Sequence, residues 1–258
     1  MIYIKSEDEI NKIRESCHIV GFCHKDIAEN IKAGMTTMDL ENIVVNVLKK
    51  YGAKSSFKGQ EGFTQEAVLF PYATCISIND EVIHGMPSEK RIIHDGDIVS
   101  VDIGAYKNGF HGDSAKTYII GNVDDRVKQL VEVTRGSFYE GLKFAKVGYR
   151  VSDISNAVQK HAEQFGFSVV KDFQGHGVGR ELHEDPGVPN YGQPGRGPRL
   201  ESGMTIAIEP MINMGTDDII ICDDGWKVVT ADGQLSSHYE HTVLITDGEP
   251  EILTNHYL

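Results

Sequence analysis

The segment GDIVSVDIGAYKNGFHGDSAKTY, at residues 96–118, contains three aspartates, of which Asp102 and Asp113 stand at β-like runs in a way that the sequence repeats elsewhere. Asp102 ends the apolar run 98–103, and Asp113 stands one residue before a new β run. An acid inside so apolar a strand is costly to bury unless another group pairs with it. A second segment, ESGMTIAIEPMI at 201–212, places Glu209 after an apolar run in the same way. The pattern predicts strands that carry acids for a purpose other than packing.

The chain repeats itself around these acids. Gly34 and Gly148 begin similar helical segments that close at Gly52 and Gly166, and Gly96 aligns with Gly203. The last match brings Asp102 onto Glu209, and a further one sets His111-Gly112-Asp113 against His238-Tyr239-Glu240. Three short matches in the same order indicate a duplicated half.

Helical and strand patterns alternate in an order that agrees with this repeat. Ser6 and Glu9 form a capping box that predicts a first helix, and a second helix over about 37–51 ends at Gly52. A second helical pair covers about 124–145 and 152–165. Strands are predicted at 75–78, 98–103, 117–120, 205–208, 219–221 and 242–245.

We therefore expect an α+β fold in which two helix-helix-strand halves, roughly 1–122 and 123–258, are related by a pseudo-twofold axis around a central antiparallel sheet. Since no Pro- or Ser-rich linker separates the halves, we expect one catalytic domain over 1–258.

Composition excludes several classes of protein. With 258 residues, 40% apolar and 24% charged, the chain has the makeup of an ordinary globular protein. A net charge of −13 argues against nucleic-acid or anionic-membrane surfaces, which need Lys and Arg. Its four cysteines form no C-x-x-C pair, which favours reduced, packed thiols. The absence of a signal sequence and of a long apolar run predicts a cytoplasmic protein without a membrane span.

Four carboxylates meeting near the pseudo-twofold axis would repel one another and take up protons unless cations balance them. Two divalent ions would supply that balance, and oxygen ligands with one imidazole suit Mn, Co, Fe or Zn. The imidazole candidate is His176, between Gly175 and Gly177, while His84 and His183 are further candidates. Any one of these histidines alone is more often a surface or packed residue.

Other catalytic motifs do not occur. There is no H-E-x-x-H and no G-x-S-x-G, and the glycine-rich run 175–179 lacks the endings of a phosphate loop.

Five segments together resemble the bacterial type I methionine aminopeptidases, which belong to the pita-bread metallopeptidases with aminopeptidase P and prolidase. The segments are CISINDEVIHGMP (75–87), GDIVSVDIGAYKNGFHGDSAKTY (96–118), GHGVGRELHEDPGVPNY (175–191), ESGMTIAIEPMI (201–212) and SSHYEHTVLIT (236–246). They lie in the family's order and spacing, and the similarity runs through nearly the whole chain.

The resemblance implies a set of site residues. Two divalent metal ions would be held by Asp102, Asp113, His176, Glu209 and Glu240. Asp113 and Glu240 would bridge both ions, Asp102 would hold one ion, and His176 with Glu209 the other. His84 and His183 would meet the substrate, and they would act in catalysis with Glu209. Cys75, Phe63 and Trp226 would line the methionine pocket, and a monovalent cation would lie near Asn79, Glu81 and Ser236.

The resemblance also implies the activity: hydrolytic removal of the initiator methionine when the second residue is small and uncharged. The substrates would be N-terminal methionyl peptides and nascent chains near the ribosome, and the enzyme would be a monomer. Absence of an N-terminal zinc-binding extension and of a long insertion favours type I.

The chain departs from its relatives at two places near the expected pocket. The loop 62–75 is longer by several residues, and Leu182 stands where relatives often have Phe. Both bear on substrate preference, and the loop bears on the assignment of Phe63.

Two alternatives stay open at this point. One is a prolidase or aminopeptidase P, although these usually have a large additional N-terminal domain. The other is a metal-free binding protein on the same fold, although such proteins typically lose ligands and all five candidates are present here.

Overall fold

A computed structural model describes residues 1–64 and 67–254 of the chain. Within these ranges the chain forms four helices and fifteen strands. They are α1 (Glu7–Asn30), α2 (Thr37–Lys50), β1 (Lys54–Ser55), β2 (Thr74–Ile78), β3 (Glu81–Ile83), β4 (Ile98–Lys107), β5 (Phe110–Ile119), α3 (Asp125–Leu142), α4 (Val151–Gln164), β6 (Ser168–Val169), β7 (Gln174–Gly177), β8 (Glu184–Pro189), β9 (Thr205–Ile208), β10 (Met211–Asn213), β11 (Ile219–Ile221), β12 (Val228–Thr230), β13 (Ser236–His238), β14 (His241–Leu244) and β15 (Glu251–Ile252).

The first helix begins where the capping box predicts. The Ser6 hydroxyl accepts from the amide of Glu9, and the Glu9 carboxylate accepts from the amide of Ser6 at 2.8 Å. These bonds satisfy backbone donors that no preceding turn can reach. The helix packs on β4 and β5, with Ile13, Cys17 and Val20 buried.

The duplication predicted from the sequence is confirmed in backbone conformation. At the start of α2 the Asp39 carboxylate accepts from the amide of Thr36 at 2.8 Å, and at the start of α4 Asp153 accepts from Arg150 at 2.8 Å. The aligned glycines share the left-handed region: Gly34 and Gly148 have φ of 90° and 98°, Gly52 and Gly166 of 64° and 74°, and Gly96 and Gly203 of 95° and 91°. Residues other than glycine rarely adopt these backbone conformations, which explains why glycine recurs at the aligned positions.

The described strands form four antiparallel sheets, and both helical pairs pack against strands of these sheets. The first half contributes β1, β4 and β2 in that order, with β5 on β4, and the second half contributes the order β15-β14-β9-β7-β8. Two smaller sheets have the orders β13-β10-β6 and β11-β12-β3.

The halves join where β5 passes the start of β14. The amide of Glu240 donates to the carbonyl of Ala115 at 2.8 Å, and the Ser114 hydroxyl donates to the carbonyl of Glu240 at 2.6 Å. This junction brings one acid-bearing strand from each half into contact.

Each half also has a core cluster of its own. In the first, Val20, Leu40 and Val101 are fully buried together; in the second, Phe138, Ile154 and Ile206 are. The boundary at 122/123 and the single domain stay predictions.

The placement of two acids within their strands was predicted wrongly. Asp102 does not end its strand, because β4 continues to Lys107, and Asp113 lies inside β5 rather than before it. The two strands form one hairpin that turns through Asn108 and Gly109, both with positive φ (53° and 87°). The polar and glycine residues around this turn are typical of a loop. They nevertheless belong to paired strands, because a two-residue turn with positive φ matches the twist of the strands.

Among the described helices, none combines the length and the apolar character that crossing a bilayer requires.

Candidate metal centre and substrate cavity

The five predicted metal ligands line one cavity of about 450 Å³. They reach it from different strands. Asp102 comes from β4, Asp113 from β5 and His176 from β7, while Glu209 follows β9 and Glu240 precedes β14. The sequence therefore predicted correctly that these side chains come together, although it misplaced two of them within their strands.

The distances are short enough for shared ligation. His176 Nε2 lies 3.5 Å from Glu209 Oε1 and 4.0 Å from Asp113 Oδ2. One ligand atom each from Asp113, His176 and Glu240 all lie within 4.8 Å of one another. A cation placed among them would contact oxygen and nitrogen ligands together, the mixture that divalent transition metals prefer.

The carboxylates have oxygens that the protein leaves unsatisfied. Asp102 Oδ1, Asp113 Oδ1 and Glu240 Oε1 are buried and have no hydrogen-bond partner among the described residues. Buried polar atoms almost always have partners, so three orphaned oxygens in one place fit a bound cation.

The electrostatics of the carboxylates lead to the same conclusion. Burial raises the pKa of Asp102 to about 7. Burial, with neighbouring carboxylates second, raises the pKa of Asp113, Glu209 and Glu240 well above the ordinary value. Without cations the cluster would hold protons, whereas divalent ions would let the acids ionise.

The tautomer of His176 follows from its backbone contact. Its Nδ1 lies 2.9 Å from the carbonyl of Gly177, and because a carbonyl only accepts, Nδ1 carries the hydrogen. Burial, followed by the charge of His183, lowers the pKa of His176 to about 3, so the ring is neutral. The Nε2 lone pair therefore faces the acids, as a metal ligand requires.

His84 and His183 line the same cavity. His84 follows β3 with a φ of 60°, a conformation that costs a non-glycine residue on the order of 1 kcal/mol or more and is concentrated at functional sites. Its Nδ1 is buried without a partner among the described residues, and burial lowers its pKa to about 4. The His183 ring lies 4.4 Å from that of His176, centre to centre.

The predicted pocket residues line the same cavity as these histidines. Cys75 pairs in register with Asp102 across β2 and β4, so both side chains face the cavity. Trp226 is buried, whereas Phe63 is 44% exposed and lies with its ring 5.3 Å from His84.

Several further wall residues were not predicted from the sequence. Phe57, Phe70 and Phe173 line the cavity. Leu182, which was expected near the pocket, packs with Trp226 in the same apolar cluster. Phe70 lies 4.9 Å from Trp226, centre to centre. Of the three phenylalanines only Phe70 lies in the longer loop 62–75, of which residues 65 and 66 lie outside the described part of the chain. Phe57 and Phe173 have no comparable signal in the sequence.

A second histidine beside Glu209, His238, was also not predicted as a site residue. His238 Nε2 lies 3.7 Å from Glu209 Oε2 and is buried. The repeat had aligned His238 with His111, and that alignment was the signal that could have drawn attention to it.

The residues named for a monovalent cation come from two parts of the chain: Asn79 lies in the turn between β2 and β3, Glu81 begins β3, and Ser236 begins β13. The amide of Ser236 donates to the carbonyl of Asn79 at 2.9 Å, and the Glu81 carboxylate accepts from the amide of Ile78. Glu81 also pairs with Arg91 and Lys227. The cation itself stays a prediction.

A pita-bread fold whose cavity brings four carboxylates together with the His176 imidazole is typical of a metallopeptidase. Residues 11–247 match the model of metallopeptidase family M24, and the chain belongs to this family. It is 48% identical to the methionine aminopeptidase of Clostridium acetobutylicum over 254 residues, which cover 98% of this chain and 99% of that one.

Comparison with solved structures shows the same similarity to methionine aminopeptidases. The crystal structure of methionine aminopeptidase from Thermotoga maritima superimposes with a TM-score of 0.95 at 45% identity, covering 99% of this chain and all of that one. Prolidase from Pyrococcus furiosus shares the fold, with a TM-score of 0.74 at 23% identity, but this chain spans only 65% of its length.

Proposed function

We propose that the chain hydrolyses the bond after an N-terminal methionine, using two divalent metal ions held by Asp102, Asp113, His176, Glu209 and Glu240. The observation that carries the proposal is the set of orphaned carboxylate oxygens opposite the Nε2 lone pair of His176, at the floor of an aromatic cavity. The two methionine aminopeptidases named above match this chain along nearly their whole length, which supports the same substrate.

When bound, the ions would supply the positive charge that lowers the pKa of a water and polarises the scissile carbonyl. The chain's own groups do the rest. Glu209 would take a proton from the attacking water and pass it to the leaving amine. His183 would donate to the developing oxyanion, and His84 would bond to the scissile amide nitrogen.

Selectivity for methionine would come from the apolar wall. Trp226, Cys75 and Phe63 line a cavity that also contains the metal centre, so a side chain placed there brings its own peptide bond to the carboxylates. A missing methylene changes binding by only ~1–3 kcal/mol, so exclusion by the closed wall must add to attraction. The preference for a small, uncharged second residue is part of the proposal.

The setting follows from the substrate. A chain that acts on N-terminal methionyl peptides would meet nascent proteins in the cytoplasm near the ribosome. We also expect it to act as a monomer. The metal would be Co, Mn, Fe or Zn, since carboxylate-rich sites accept several. We also propose that the two halves, 1–122 and 123–258, form one catalytic domain.

The direct test is metal-dependent release of methionine from Met-X-Ser peptides, with X varied from Gly and Ala to Leu and Glu. The proposal expects rapid release for small X, little release for large or charged X, and none after chelation. Calorimetry with Mn would measure two binding events. A protein that binds no metal would instead favour the metal-free binding protein.

A Xaa-Pro dipeptide provides the second arm, because it is the substrate class of the prolidase alternative. Hydrolysis of Xaa-Pro faster than that of Met-Ala-Ser would overturn the assignment.

A further inference from the structure

We propose that Lys5 and Glu184 form a buried clamp that positions His183 for catalysis. Lys5 Nζ donates to Glu184 Oε2 at 2.7 Å, and the two side chains are only 4% and 5% exposed. The inference rests on the proposed function, because it concerns the histidine that faces the substrate there.

Glu184 closes the turn that carries His183. Its other oxygen, Oε1, accepts from the amides of Arg180 and Glu181 at 2.8 and 3.2 Å. The acid therefore ties both sides of the turn together, while Lys5 balances its charge. A buried carboxylate without such a partner would be strongly unfavourable.

His183 depends on this turn for its position. Its side chain is exposed and has no hydrogen bond to the described residues, and its only ring contact there is with His176. Placement of the imidazole therefore depends on the backbone at 180–184 and on the contact of its ring with His176. Since misplacement by ~1 Å can cost on the order of a hundredfold in rate, the rigidity of this turn matters for turnover.

Lys5 itself is fixed at a distance from the cavity. Its amide donates to the carbonyl of Gly203 at 2.9 Å, in the turn before β9. The clamp thus links the segment before α1 to the turn that carries His183, and neither Lys5 nor Glu184 lines the catalytic cavity.

The test compares Lys5→Met and Glu184→Gln with a conservative variant, Lys5→Arg, in the manganese-loaded enzyme. Since a positioning residue acts in the transition state, kcat on Met-Ala-Ser should fall by about tenfold or more while KM changes by less than about threefold. Lys5→Arg should recover most of the loss because it keeps the charge. Manganese affinity, measured by calorimetry, should stay near that of the wild type.

A matched control separates the clamp from general loosening of the N-terminal segment. Arg14→Met breaks the ion pair of Arg14 with Glu251, which ties α1 to β15 and not to the turn. Its kcat should match the wild type. If Arg14→Met lowers kcat as much as Lys5→Met, or if both clamp variants keep normal kcat, the inference fails.

Two measurements on the unliganded protein do not depend on activity. The ring nitrogens of His183, assigned by their loss in His183→Ala, should shift or broaden in Lys5→Met and not in Arg14→Met. In the wild type, the amides of Arg180 and Glu181 should exchange slowly with solvent deuterium. Exchange as fast as in an open loop would overturn the clamp even if the variants did not fold, whereas a wild type that released no methionine would overturn only the proposed function.

Discussion

Thr242 holds the backbone of Asp113 from the opposite half of the fold. The amide of Asp113 donates to the Thr242 hydroxyl at 3.1 Å, and that hydroxyl donates to the carbonyl of Asp113 at 2.8 Å. Thr242 is fully buried on β14, two residues after Glu240. The strands of the two proposed bridging acids are therefore tied to each other by side chains as well as by the bond from Glu240 to Ala115.

Thr242→Val should loosen this junction. The exchange keeps the shape but leaves the amide and carbonyl of Asp113 without a partner, which should lower the free energy of unfolding by about 1–3 kcal/mol. Manganese affinity should fall as well, because a displaced Asp113 no longer faces Glu240. Denaturant unfolding and calorimetry measure the two effects. Thr242→Ser, which keeps the hydroxyl, is the control, and equal losses in both variants would show that the methyl group matters instead.

Glu209→Ala and His183→Ala should both abolish practical turnover, for different reasons. Loss of a general base typically costs ~10²–10⁴ in rate, and loss of an oxyanion donor costs ~10²–10³. Only the Glu209 variant should also lose metal, since His183 is not among the proposed ligands. Steady-state kinetics with Met-Ala-Ser, combined with metal analysis, distinguishes the two. Near-normal activity of the Glu209 variant would refute the mechanism.

The order of the elements and the identity of the acids were predictable from the sequence because both follow from local signals. Ser6 and Glu9 mark a helix start, and Gly52 and Gly166 mark helix ends by a conformation that few other residues adopt. The repeat then related Asp102 to Glu209 without any knowledge of the sheets.

The walls of the cavity were harder to predict. Phe57, Phe70 and Phe173 come from loops with no periodic pattern, and their assembly around Trp226 depends on packing over long sequence distances. The pairing of Lys5 with Glu184 was not predictable for the same reason, since the two residues are far apart in the sequence and belong to no common local pattern.

His24 should make the protein sensitive to acid. Its Nε2 donates to the carbonyl of Ser114, its Nδ1 faces the Tyr118 hydroxyl, and burial lowers its pKa from 6.5 to about 4. Because the unfolded chain binds a proton that the folded ring excludes, His24 contributes stability that is present above pH 6.5 and lost as the pH falls towards 4. The slope is about 1.4 kcal/mol per pH unit at most.

The measurement is the free energy of unfolding of the wild type and of His24→Gln across this pH range, under the same metal-free conditions. The difference between the two proteins should shrink as the pH falls, since glutamine does not titrate. Parallel curves would mean that His24 is protonated equally in both states.

Trp226→Phe should distinguish two effects of Trp226 on substrate binding: the shape of the cavity wall and the anchoring of the loop at Val68. The indole Nε1 donates to the carbonyl of Val68 at 2.7 Å and so fixes the loop that supplies Phe70 to the cavity wall. Phenylalanine keeps an aromatic ring in the wall but cannot donate this bond, which is worth about 0.5–1.5 kcal/mol. KM for Met-Ala-Ser should therefore rise several-fold, by an amount of that order.

The change in kcat should be smaller, because the bond from Trp226 anchors the loop at Val68 and not the strands that bring the carboxylates together. Discrimination against Leu-Ala-Ser should weaken at the same time, since a looser wall excludes branched side chains less strictly. Leu182→Phe is the matched comparison, as it narrows the same cluster and leaves the bond to Val68 intact. If both variants raise KM equally while specificity stays unchanged, the wall acts by its volume alone and the anchoring bond contributes nothing.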